Sequence, residues 1–86
     1  MAHPTLANEA LKVLFELRES ALDGYSLLAK TGLKKDVLIK ALSELLAQKI
    51  VIVKGELAEE RIGDTYVSVR PSARGYADMM LQFKLP

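Results

Sequence analysis

Cysteine and tryptophan are absent, and the single histidine stands at position 3. Without cysteine there is no disulfide framework and no thiolate metal site. One histidine in an N-terminal tail offers neither a nucleophile–base pair nor a metal-ligand set, so His3 reads as a tail residue. Glycine (5) and proline (3) are sparse, which excludes collagenous and low-complexity chains. Gly24, Gly32, Gly55, Gly63 and Gly75 never fall at the spacing of a phosphate-binding loop. The longest apolar run, Ile50 to Val53, is far too short to span a bilayer, and Met1-Ala2-His3-Pro4 lacks the basic and apolar regions of a signal peptide. The expectation is no catalytic residue, no metal, no cofactor and no membrane, in a cytoplasmic protein that is not an enzyme.

What is present is a chain of 86 residues, 50% apolar and 27% charged, long enough for one small domain over residues 1–86. The net charge of +1 exerts no global pull on nucleic acid, but the charge is unevenly placed. Residues 30–54 hold Lys30, Lys34, Lys35, Lys40, Lys49 and Lys54 against only Asp36 and Glu44. Residues 55–69 reverse the sign, with Glu56, Glu59, Glu60 and Asp64 against Arg61. Three glutamates without a fixed turn geometry read as a solvated loop rather than a cation site.

Hydrophobic period gives the elements. Leu6, Ala10, Val13, Leu14 and Leu17 share one helical face, widened by Leu11 and Phe15, with Thr5 as the N-cap. Ser20 to Gly24 reads as a loop. Ser26 is placed to cap a short second helix ending near Lys30, which Gly32 stops. A third helix follows from about Lys35 to Gln48. It sets Leu38, Ala41, Leu42 and Leu45 on one face and Asp36, Lys40, Ser43 and Ala47 on the other, with Val37 and Ile39 on the flanks. Two helices joined by a tight glycine turn, with Leu33 as its anchor, form a helix-turn-helix over about 26–48.

The period then changes. Ile50 to Lys54 reads as a strand buried on both sides or a strand beside a covering helix, and Tyr66 to Arg70 alternates with Val67 and Val69 on one side. Together they predict a two-stranded wing over about 50–70 with a long acidic tip, Glu56 to Arg61. Pro71 and Ser72 lead into a last helix over about 72–84, whose stripe is Tyr76, Met80 and Phe83 with Ala77 and Leu81 beside it. The predicted class is α+β: a small winged helix with a three-helix core, a two-stranded β-hairpin and a C-terminal helix.

This order, and the wording Leu27-Leu28-Ala29-Lys30-Thr31-Gly32-Leu33 followed by Val37-Leu38-Ile39-Lys40-Ala41-Leu42, resembles the helix-turn-helix of winged-helix transcriptional regulators of bacteria and archaea. Leu45 to Val51 looks like the end of their recognition helix running into the first wing strand. Tyr66-Val67-Ser68-Val69-Arg70-Pro71-Ser72-Ala73-Arg74-Gly75 is similar to the second wing strand and next helix of MarR-like and PadR-like regulators. Two departures stand out. Lys34 occupies the position where those families place Ser, Thr or Pro, and the wing tip is acidic where theirs is commonly cationic.

The resemblance implies double-stranded DNA as partner, met through the third helix, and a transcription regulator working as a homodimer. Lys34, Lys35 and Lys40 are the phosphate candidates, with Arg61 from the wing. Asp36, Val37, Ile39 and Ser43 are left to face bases, although none offers a bidentate contact. The plain alternative for the lysines is a solvated helix face, and for Val37 and Ile39 simple packing. Met79, Met80 and Leu81 are consecutive, so one helix face cannot bury all three; Tyr76, Met79, Met80 and Phe83 are the candidate dimer surface. The competing reading is a winged-helix module for protein–protein contact, with Val37, Ile39 and the acidic wing facing a partner.

Overall fold

The computed structural model describes residues 7–84, with the side chains of residues 80, 83 and 84 outside that description. The elements run α1 (Asn8–Leu17), β1 (Leu22–Asp23), α2 (Gly24–Thr31), α3 (Lys35–Ala47), β2 (Val51–Lys54), a 3-10 helix (Glu59–Asp64), β3 (Tyr66–Val69), a 3-10 turn (Pro71–Ala73) and α4 (Arg74–Lys84). The class is α+β with the layout of a small winged helix, as the sequence predicts. Thr5 and Leu6 lie outside the described residues, and α1 starts after Ala7, whose side chain cannot cap it.

The core forms where the periodic faces meet. Ala10, Leu11, Val13, Leu14 and Leu17 of α1 pack with Leu27 of α2 and with Leu38, Ala41, Leu42 and Leu45 of α3. Leu33 is half-buried and packs against this cluster from the turn. Phe15, expected to widen the buried stripe, is 37% exposed and carries the Arg18 guanidinium 4.2 Å from its ring centroid.

Three further features differ from the sequence reading. The segment read as a loop over Ser20 to Gly24 contains β1, which makes the sheet three-stranded with order β1-β3-β2, all antiparallel. Leu22 pairs with Val67 and Asp23 with Tyr66. A two-residue strand has no period to recognise, and it exists because β3 leaves an edge open. Next, α2 begins at Gly24, with Asp23 rather than Ser26 at the cap position. Finally, β2 is covered only at its start: Val51 is buried, Ile52 and Val53 are half-buried, and Lys54 is exposed.

The join from α3 to β2 is a Schellman turn. The amide of Ile50 donates to the carbonyl of Leu45 (3.0 Å), and that of Lys49 to Leu46 (3.0 Å). Lys49 takes the left-handed conformation there, φ 60°, a position usually given to glycine or asparagine. Val51 faces Val69 and Val53 faces Val67 across the hairpin. The α4 helix lays Ala77 and Leu81, one turn apart, onto the core, while Tyr76 is half-buried and Met79 is 45% exposed.

Candidate nucleic-acid interface

The turn between α2 and α3 is fixed by local chemistry. Gly32 has φ 72°, a left-handed value that closes the end of α2, and its amide donates to the Leu28 carbonyl (2.9 Å). The Thr31 hydroxyl donates to the Leu27 carbonyl (2.6 Å) and accepts from the Leu33 amide (3.3 Å). The chain therefore reaches Lys34 in one defined direction. Lys34 stands at the N-cap position of α3 without a side-chain cap, as its residue type dictates.

With Leu38, Ala41, Leu42 and Leu45 held inward, α3 turns the opposite face to solvent. Lys34, Lys35, Asp36, Lys40 and Ser43 are exposed, so the expected contact residues on that face come together on one surface. Val37 and Ile39 are half-buried, and Ile39 packs against the core. Glu44 is drawn away from this face: its carboxylate accepts from the Ala7 amide at 3.3 Å. The exposed start of α3 is thus cationic, with Asp36 as its one acid.

The connection between β2 and β3 does not project as a solvated tip. Its 3-10 helix folds back against α2 and α3, and Ile62 is fully buried there. Thr65, also fully buried, donates its hydroxyl to the Glu56 carbonyl (2.7 Å), with the Arg61 carbonyl at 3.0 Å in reach of the same proton. The Thr65 carbonyl in turn accepts from the Gly24 amide (2.9 Å). Approach is so close that a Cβ on Gly24 would lie 2.0 Å from the Ile62 carbonyl oxygen, and one on Gly63 would lie 2.4 Å from the Tyr25 ring. Arg61, Glu59 and Glu60 remain exposed on this folded-back segment. No group of three or more His, Asp or Glu side chains among the described residues is placed to hold a metal ion.

Two residues at this end carry more than their sequence suggested. Ser26, expected as the cap of α2, lies in its first turn and donates its hydroxyl to the Asp23 carboxylate at 2.5 Å. That hydrogen bond holds the Asp23 carboxyl below its ordinary range. Tyr25 is 59% exposed, and the Lys35 ammonium lies 5.9 Å from its ring centroid. A lone tyrosine beside a glycine had no periodic signal to mark it.

Of the candidate dimer residues, Tyr76 and Met79 lie on α4 as expected, and the side chains of Met80 and Phe83 fall outside the described residues. No helix among the described residues is long and apolar enough to cross a membrane.

The fold now described is a known one. The chain is similar to BpsR of Bordetella bronchiseptica, whose DNA binding is regulated by 6-hydroxynicotinic acid; the TM-score is 0.76 at 21% identity. The likeness is one of fold. It covers 96% of this chain but only 62% of the BpsR chain. No family model matches the sequence. No curated protein matches it either.

Proposed function

We propose that this protein binds double-stranded DNA through the exposed face of α3 and acts as a transcription regulator of MarR-like or PadR-like kind. The observation that carries the reading is the convergence of Lys34, Lys35 and Lys40 on the solvent face of a helix whose other face is locked into the core. A helix so presented fits the major groove, with cations at its N-terminal end reaching phosphates. The fold shared with BpsR, a DNA-binding protein, supports the same reading. Ile39, packed against the core, has little side chain left for a protein partner or a base. Asp36 and Ser43 face outward and, with half-buried Val37, are the residues left to meet base edges. The protein is a binding protein and not an enzyme, acting in the cytoplasm. Tyr76 and Met79 of α4 mark the homodimer face, which a one-chain mass by light scattering at high micromolar concentration would remove.

Binding of the full chain to a labelled duplex across a salt series tests the reading. Affinity falls steeply with salt, and Lys34→Ala, Lys35→Ala and Lys40→Ala each lower the logarithmic salt slope by about one for all sequences alike. Glu59→Gln with Glu60→Gln tightens binding, because these carboxylates sit on the segment folded against the same helices. A folded sample that binds no duplex at low salt overturns the reading in favour of a protein partner.

A further inference from the structure

The DNA reading uses α3, but the structure places one more group beside it. Tyr25, in the first turn of α2, is an aromatic residue left largely in solvent. The ring lies directly on the backbone of Gly63, so closely that any larger residue there would collide with it. The Lys35 ammonium lies 5.9 Å from the ring centroid. The Tyr25 hydroxyl has no hydrogen-bond partner among the described residues, whereas Ser26 next to it is already committed to Asp23. The phenol is therefore a neutral donor without a protein partner at the junction of α2, α3 and the folded-back 3-10 helix, beside the exposed lysines.

We propose that Tyr25 belongs to the DNA-contacting surface, its hydroxyl donating to a backbone phosphate while its ring, braced on Gly63, holds Lys35 beside the neighbouring phosphate. Here the wing connection works inward: its 3-10 helix supplies the seat for Tyr25 instead of an arm that enters a groove. The inference rests on the DNA reading above and extends it from one helix to three elements. A neutral hydroxyl contact strengthens binding without releasing a counterion, whereas the lysine contact releases one, so the two roles of Tyr25 separate by salt dependence.

The test is a salt series of the full-length protein with a fluorescein-labelled duplex of random sequence, comparing Tyr25→Phe, Tyr25→Leu and Lys35→Ala. Tyr66→Phe, a similarly exposed tyrosine on β3, serves as control, and thermal melts verify folding. Tyr25→Phe weakens binding roughly three- to tenfold with an unchanged slope, since one solvent-exposed hydrogen bond of about 1 kcal/mol is lost and the ring stays. Tyr25→Leu weakens it further and lowers the slope toward that of Lys35→Ala, while Tyr66→Phe binds as the parent. A parent that binds while Tyr25→Phe matches it overturns this inference alone. A parent that binds no duplex overturns the DNA reading and this inference with it.

Discussion

The helix-turn-helix and the connection between the wing strands sit against each other, yet they are held by opposite means. The first is held by repetition: Leu38, Ala41, Leu42 and Leu45 recur at helical spacing and meet the matching faces of α1 and α2. No one contact decides it, because each leucine contributes through buried area. The second is held by single contacts that cannot be averaged: Gly24 beneath Ile62, Gly63 beneath Tyr25, and the Thr65 hydroxyl on the Glu56 carbonyl. The comparison shows that a surface can be oriented by its core and still be finished by a segment with no repeating pattern.

Substitutions separate the two. Leu42 is fully buried at the centre of the repeating face, so Leu42→Ala costs about 2–5 kcal/mol through lost transfer energy and a cavity. Urea unfolding measures it, and that loss is a large part of a small domain's total of about 5–15 kcal/mol. Gly24→Ala comes next. Alanine favours a helix by about 1 kcal/mol over glycine, but its Cβ would sit 2.0 Å from a backbone oxygen that cannot swing aside. Overpacking of this kind costs about 1–3 kcal/mol, so the clash wins and the melting temperature falls. A stabilised Gly24→Ala would show that the 3-10 helix is not seated as described. The smallest effect has the opposite sign. Lys49→Gly relieves a left-handed lysine that strains by about 1–2 kcal/mol and returns part of that to chain entropy. The expected net gain is about 0.5–1 kcal/mol, read in the same urea series.

The same contrast sets how much could be read from the sequence. The core face of α3, its solvent face, the Gly32 turn and the alternation of β3 were all legible, because period and one left-handed glycine specify them. The loop read over Ser20 to Gly24 hid β1, whose two residues become a strand only when β3 supplies partners. The acidic run Glu56 to Arg61 looked like a solvated tip, since its composition is polar. The residue that pulls it inward, Ile62, is one isolated apolar position. The Schellman turn after α3 went unmarked because lysine stands where glycine is expected. For the site, Lys34, Lys35 and Lys40 were legible as charge on a helix face. Tyr25 was not, because its place depends on a glycine 38 positions away in the sequence.

The proposed DNA-contacting surface joins α3 to the start of α2. A titration of the 15N-labelled full chain with duplex DNA at low salt, followed by amide chemical shifts, tests it most directly. Progressive shifts are expected at Tyr25 and Ser26, from Lys34 to Lys40 and at Ser43, with the amides around Ala77 and Leu81 of α4 unmoved. Shifts confined to α4, or none along α3 at saturating DNA, would contradict it.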